Sequence, residues 1–271
     1  MSCSELSLAA GEGLAGTATT AERWLLVEVR GSWGRDAVAD SGLPGRVCEL
    51  LEAFDGRVQL IRRPDRRAGT TVVLAVVTEG GGEARRLRLD ALDELPAADL
   101  DGGEPVDGQL LLVCAHGRRD ACCARLGLPL FDALGPHVGS AQLWQSSHLG
   151  GHRFAPNLLA LPYGVQFGRI PVDAAPAVAD ALAAGRISLE WYRGRTLYPA
   201  PVQAAEIAVR CARGLDGIGD LRLLWVTSGS VRFATPGGDV TVRVEESRGP
   251  SVPPSCDAEP ECAPTWHASL G

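Results

Sequence analysis

Gln109-Leu-Leu-Leu-Val-Cys114-Ala-His-Gly-Arg-Arg-Asp-Ala-Cys-Cys123 is the stretch on which the fold turns. Its opening apolar run reads as a strand, Gln109–Val113, ending on Cys114. A helix follows over Ala121–Leu134 and stops at Gly135-Pro136. The segment therefore puts one cysteine at the end of a strand and two more at the entry to a helix. Further on, His148-Leu-Gly-Gly-His152 sets two histidines three residues apart. Gly150 and Gly151 between them permit a tight turn without a Cβ clash, so both imidazoles can converge on one centre. Gln145-Ser-Ser147 just before offers hydrogen bonds to hold that turn.

Two cysteines and two histidines form a set of four soft-to-borderline metal ligands. A structural zinc knuckle uses cysteines two to four residues apart. Cys114 and Cys123 have eight residues between them, a loop long enough to wrap a body larger than one ion. A 2Fe-2S cluster is such a body and takes Cys2His2 ligation in known proteins. A zinc site of loose spacing satisfies the same residues.

Outward from this core the chain alternates strands and helices. On the N-terminal side, Trp24–Arg30, Arg57–Arg62, Thr71–Val77 and Arg85–Leu89 read as strands. Ser41–Phe54 reads as an amphipathic helix, and Gly80-Gly81-Gly82 as a turn rather than a phosphate loop. The acidic stretch Asp99–Asp107 reads as a linker. On the C-terminal side come strands at Gln142–Gln145, Leu158–Leu161 and Val165–Arg169. A helix is expected over Val172–Ala184 and another over Val202–Leu215. Three short strands then follow at Leu221–Val226, Ser230–Ala234 and Val240–Glu245. From Glu246 the Ser/Pro-rich sequence reads as a loosely held tail.

Composition excludes several classes. The chain has 271 residues, 45% of them hydrophobic and 22% charged, with a net charge of -7. That balance argues against a nucleic-acid-binding protein. No apolar run reaches the roughly 20 residues a membrane span needs, and Met-Ser-Cys-Ser-Glu-Leu-Ser lacks a secretory signal pattern. A cytoplasmic location is the resulting expectation, where clustered cysteines point to metal or redox chemistry. All 26 basic residues are arginine, in line with a high-GC coding bias. Residues 106–200, with six acidic residues and eight arginines, are the one net-positive third and hold four of the five histidines.

Cys114-x8-Cys123 followed by Ser147-His-Leu-Gly-Gly-His-Arg-Phe-Ala-Pro-Asn157 resembles the sucrase/ferredoxin-like family, whose members are thioredoxin-like 2Fe-2S proteins. The likeness extends from Trp24-Leu-Leu-Val-Glu and Trp33-Gly-Arg-Asp36 to Tyr198-Pro-Ala-Pro-Val-Gln203. In related thioredoxin-like ferredoxins the second ligand pair is cysteine; in this family it is His-x3-His. The resemblance implies that Cys114 and Cys123 ligate one iron of a 2Fe-2S cluster, and His148 and His152 the other. Nothing supports sucrase activity, since no carboxylate pair frames a sugar site.

The implied fold is α/β: two thioredoxin-like lobes, mixed sheets flanked by helices, with a small C-terminal αβ extension. The expected division is 1–105 for a lobe without cluster ligands, 106–200 for the cluster domain, and 201–271 for a helix, strands and tail. The implied function is electron transfer between a reductase and an acceptor protein. The chain would be a one-electron carrier rather than an enzyme with its own substrate. The alternatives are a redox or pH sensor that uses cluster state as a switch, and a structural zinc protein. Two neutral imidazoles in place of two thiolates leave the oxidised cluster uncharged rather than dianionic. Its potential should therefore exceed that of plant-type ferredoxins. It should also fall with pH, because each imidazole keeps a second, titratable nitrogen.

Several residues carry plainer readings. Cys122 would give x7 spacing, and adjacent helical residues point about 100° apart, so it reads as a small buried residue or an alternative ligand. His116 reads as a hydrogen-bonding neighbour of the ligands and His137 as solvated. Cys48 and Cys211 read as packing residues. Cys3 stands too far away in sequence to assign. Cys256-x5-Cys262, with His267, offers three ligands, one short of a set. Arg118, Arg119, Arg125 and Arg153 lie within or beside the ligand segments and suit an acidic partner surface.

Overall fold

A computed structural model gives the architecture; it describes residues 1–64, 68–140 and 142–271. The chain opens with helix α1 (Cys3–Ala9), whose N-terminus is closed by a capping box between Ser2 and Glu5. The first lobe follows, with β1 (Arg23–Glu28), α2 (Gly45–Ala53), β2 (Arg57–Arg62), β3 (Thr70–Val76), β4 (Glu83–Leu89) and the two-residue β5 (Glu104–Pro105). The second lobe repeats the pattern with β6 (Leu110–Cys114), α3 (Ala121–Leu134), β7 (Leu143–Ser146), β8 (Asn157–Leu161), β9 (Val165–Gly168), α4 (Ala175–Ala183) and β10 (Tyr192–Arg195). The C-terminal part is α5 (Ala200–Arg213), β11 (Arg222–Thr227), β12 (Ser230–Ala234), β13 (Val240–Val252) and β14 (Glu261–Leu270).

The two lobes share one strand order. In the first, β2 runs parallel to β1, β3 antiparallel to β1, and β4 antiparallel to β3. In the second, β7, β6, β8 and β9 stand in the same relation. The order 2-1-3-4 with a helix between the parallel strands is the thioredoxin-like arrangement. Antiparallel pairing of β2 with β7, Ile61 opposite Ser146 and Arg62 opposite Gln145, merges both into one ten-stranded sheet. Ile61 and Ser146 pair in turn with Glu28 and Cys114. The first lobe thus carries a buried carboxylate at the place where the second carries its cysteine. Glu28 spends that carboxylate on the Thr71 amide, at 3.0 Å.

Strand alternation divides the core. Leu25 and Val27 pack outward under α2, with Val47 and Leu51. Leu111 and Val113 pack outward with Leu130 and Phe131 of α3 and with Val178 and Leu182 of α4. Trp24, Leu26, Leu110, Leu112 and Cys114 point to the other face and meet in one core shared by both lobes. The sheet curls far enough for the glycine turn at 80–82 to touch Tyr163 and Pro162 of the β8–β9 turn.

The expected tail from Glu246 onward is a correction. β13 runs on to Val252 and pairs antiparallel with β14, which closes a four-stranded meander packed on α5. β14 lies at the sheet edge, the position where Pro264 is tolerated. Prolines at 250, 253, 254, 260 and 264 hid the hairpin. Cys211 is likewise corrected: it is exposed, because α5 buries Val202, Ala205, Glu206 and Val209 instead. Cys48 is half-buried against the Val38 and Leu43 carbonyls.

Candidate metal centre at the lobe junction

Cys114 ends β6 on the inner face, and Cys123 lies in the first turn of α3; both are fully buried. Asp120 caps α3, accepting the Cys122 amide at 2.8 Å, and so fixes where the helix starts. α3 packs closely on β6 because Gly127 faces the Cys114 carbonyl. A Cβ at 127 would collide with that oxygen.

The histidine loop meets this pair from β7. Ser147 ties it to the first lobe: its hydroxyl accepts the Leu60 amide at 3.0 Å and donates to Gln59 Oε1 at 2.9 Å. Leu149 is fully buried in the shared core. Gly150 and Gly151 adopt φ of 92° and 72°, as the sequence required. Every carbonyl from 148 to 151 is held by a side chain. Gln59 reaches that of His148, and Thr19 and Gln166 reach that of Leu149. Arg193 reaches that of Gly150, and Asn157 that of Gly151. Arg193 is itself buried beside Phe154, and it also donates to Asn157 Oδ1 and to the Thr17 carbonyl.

All four expected site residues come together. Cys114, Cys123 and His148 place their ligand atoms within 4.8 Å of one another. His152 joins through Cys123, whose Sγ lies 3.4 Å from His152 Nδ1 and 3.9 Å from His148 Nδ1. The two imidazoles stack, 3.8 Å between centroids and 15° between planes. Cys114 is the more acidic thiol of the pair. A hydrogen bond from Cys123 draws it well below its ordinary value against the opposing effect of burial. The same bond, with burial, pushes Cys123 up. Burial, and then the neighbouring His148, pull His152 down to about 4, so its ring is neutral near pH 7. Two thiols and two imidazoles converging at a buried strand end are a donor set that fits a 2Fe-2S cluster.

His116 does neighbour the ligands. Its Nε2 lies 2.6 Å from the Gly34 carbonyl and its ring stands edge-on to Trp33, while its buried Nδ1 has no hydrogen-bond partner. His137 is exposed. Two of the four flanking arginines are neutralised: Arg153 by Glu12 at 2.8 Å and Arg125 by Glu5 at 3.1 Å. Arg118 and Arg119 are exposed. A groove of about 320 Å³ opens over His148 and His116, with Arg35, Arg57, Arg119 and Asp36 in its walls. Sequence reading missed Arg35 and Arg57 because they belong to the other lobe.

Cys122 is not an alternative ligand of this centre. Its sulfur points away, toward Cys3 and Cys256.

Twin lobes of order 2-1-3-4 define a thioredoxin-like protein, and the cysteine–histidine constellation at their seam is a group able to hold a metal. The chain belongs to the sucrase/ferredoxin-like family, whose family model matches residues 14–194. Two fungal proteins, each named Altered inheritance of mitochondria protein 32, are similar to it. That of Eremothecium gossypii is 32% identical over 130 residues, 43% of this chain and 42% of the relative. That of Clavispora lusitaniae is 32% identical over 101 residues, 34% and 37% respectively. The chain thus spans well under half the length of these relatives. Among solved structures, a thioredoxin-like [2Fe-2S] ferredoxin from Aquifex aeolicus aligns with 35% of this chain and 97% of its own, at 14% identity and a TM-score of 0.30.

Proposed function

We propose that this protein is a one-electron carrier that holds a 2Fe-2S cluster with Cys114, Cys123, His148 and His152. The carrying observation is the meeting of two buried thiols with two stacked imidazoles, one of them at the floor of a solvent-facing groove. When bound, such a cluster supplies a one-electron redox couple, set high by neutral ligands. A metal requires both cysteines as thiolates and both imidazoles neutral; His152 is held neutral by burial, and binding would release the proton that the Cys114–Cys123 pair retains. Both Nδ1 atoms face Cys123 Sγ, which leaves Nε2 of each ring as the second proton-bearing atom. On this reading the potential falls as pH rises.

The groove supplies the docking face. Arg35, Arg57 and Arg119 surround the approach to His148, where an acidic partner, reductase or acceptor, would settle. Eight free cysteines suit a reducing compartment, in our reading the cytoplasm. Among the described residues no helix is long and apolar enough to cross a membrane.

The test is absorbance and EPR on anaerobically purified protein, with metal analysis. Two irons per chain and a rhombic signal on reduction are expected. A colourless protein with one zinc shared among Cys114, Cys123 and His148 would overturn the reading.

A further inference from the structure

We infer that Cys3, Cys122 and Cys256, with Asp120, form a second metal site, built for a single zinc-type ion and separate from the centre at the lobe junction. The three sulfurs make a nearly regular triangle: Cys3–Cys122 3.6 Å, Cys122–Cys256 3.5 Å and Cys256–Cys3 3.5 Å. Asp120 closes the fourth corner, its Oδ1 3.3 Å from Cys256 Sγ and 3.9 Å from Cys3 Sγ. All four ligand atoms lie within 4.8 Å of one another.

The size of the set selects the occupant. Zinc–sulfur bonds of about 2.3 Å in a tetrahedron put sulfurs about 3.8 Å apart. The triangle needs only a few tenths of an ångström of expansion to admit the ion. A disulfide is the competing use of close thiols, but three near-equal separations single out no pair. As thiols, Cys3 and Cys256 donate to the Asp120 carboxylate; once ionised, the three sulfurs and that carboxylate form an all-anionic donor set that only a cation balances. Tetrahedral sulfur-rich coordination favours zinc among the divalent ions.

The surroundings are those of a site rather than a chance contact. The ligands come from segments 119 and 134 residues apart in sequence. Cys3 opens α1, Cys122 lies in the first turn of α3, and Cys256 sits in the loop between β13 and β14. Asp120 orders the corner before any ion binds: Oδ1 accepts the Cys122 amide and Oδ2 the Cys256 amide, both at 2.8 Å. Cys3 and Cys122 are sealed, whereas Cys256 is exposed and gives the ion a way in. The apolar packing here is thin: among the described residues, Ala155 and Leu126 pack beside the two buried cysteines. A metal would add a tie between the N-terminal helix, the C-terminal hairpin and the helix that carries Cys123, beside the Arg125–Glu5 pair that already joins the two helices. As the ion binds, each thiol releases its proton to solvent.

Metal analysis of the full chain, purified without added zinc and with its iron retained, tests the site. About one zinc per chain is expected in addition to iron. Cys256→Ser and Cys3→Ser should each lose that zinc while keeping iron content and the absorbance spectrum. His148→Ala should keep the zinc, which separates this site from the other centre. Cys256 lies in an exposed loop, so its variant is expected to fold, and circular dichroism checks this. Background zinc in the wild type, full zinc retention in both cysteine variants, or a Cys122–Cys256 disulfide in the non-reduced peptide map would each overturn the assignment.

Discussion

Cys122 and Cys123 are consecutive in the chain and serve different surroundings: Cys123 Sγ lies 3.4 Å from His152 Nδ1, and Cys122 Sγ lies 3.5 Å from Cys256 Sγ. The angular step of about 100° per residue produces the divergence, with both side chains fully buried. Cys123→Ala should therefore abolish iron binding, whereas Cys122→Ala should leave two irons per chain. Iron assay and absorbance decide this; retention of iron in Cys123→Ala would mean that the ligand was wrongly assigned.

The histidine turn should tolerate no side chain. At Gly150 an added Cβ would collide with Thr19 Oγ1, and at Gly151 it would stand 2.6 Å from Arg193 Nη2 and 2.8 Å from Phe154 Cδ2. Both residues also sit at positive φ, where a residue with a Cβ costs about 1–3 kcal/mol. Gly185 has a similar φ of 69° with nothing within 4 Å, so Gly185→Ala isolates the backbone penalty. Gly150→Ala and Gly151→Ala should lose more stability in urea than that control, and should lose iron as well.

Reduction of the proposed cluster would add negative charge beside His148 and His152 and so raise the affinity of their Nε2 atoms for protons. The sign follows: between the two proton affinities the potential falls with rising pH, by up to about 59 mV per unit for one proton and one electron. Redox titration from pH 6 to 10 measures the slope, and a flat line would sink the coupling. His148→Cys should lower the potential, because it exchanges a neutral ligand for an anionic one.

The groove arginines should set the speed of partner reduction more than its extent. Arg57→Ala and Arg119→Ala should slow electron transfer at low salt and flatten its ionic-strength dependence. Arg153→Ala should do neither, since Glu12 already neutralises it. Stopped-flow rates at several salt concentrations with a reductase would show this. Rates indifferent to salt would remove the electrostatic role.

Glu206 and Arg210 form an ion pair on α5 at 2.9 Å with no exposure on either side, and Tyr192 donates to the same carboxylate. Arg210 also holds the carbonyls of Leu215, Gly217 and Ile218. Glu206→Ala strands a buried guanidinium, at a cost of about 3–5 kcal/mol. Chemical denaturation should show that loss, where an exposed pair such as Arg186–Asp216 would cost about 1 kcal/mol or less.

The sequence was most informative where local chemistry and local structure coincide. Ala121–Leu134 and Arg57–Arg62 match the observed elements end for end, because a Gly-Pro stop and an apolar run mark them. The Cys and His motifs were legible as a donor set because loop spacing and glycine placement are local properties, while their joint assignment to one cluster came from the family resemblance. What long-range pairing alone creates was not. Cys3 and Cys256 lie 253 residues apart, and no spacing rule connects them. The β13–β14 hairpin was hidden by its prolines, and β14 shows no clean alternation because it lies at an edge. Arg193 read as one more arginine in an arginine-only chain; its burial beneath the histidine turn follows from β10 joining the sheet.

The pinned carbonyls of residues 148–151 bear on how fast such a carrier can work. Outer- and inner-sphere reorganisation sets the activation barrier of an electron hop, and a loop that shifts with each change of charge raises it. Here Gln59, Thr19, Gln166, Arg193 and Asn157 already occupy the backbone acceptors, and Leu149 is locked in the core. A change of charge at the two imidazoles finds no slack backbone to rearrange. Thr19, Gln59 and Arg193 each come from outside the β7–β8 segment. In the proposed carrier, a low barrier would thus be a property of the whole twin-lobe assembly.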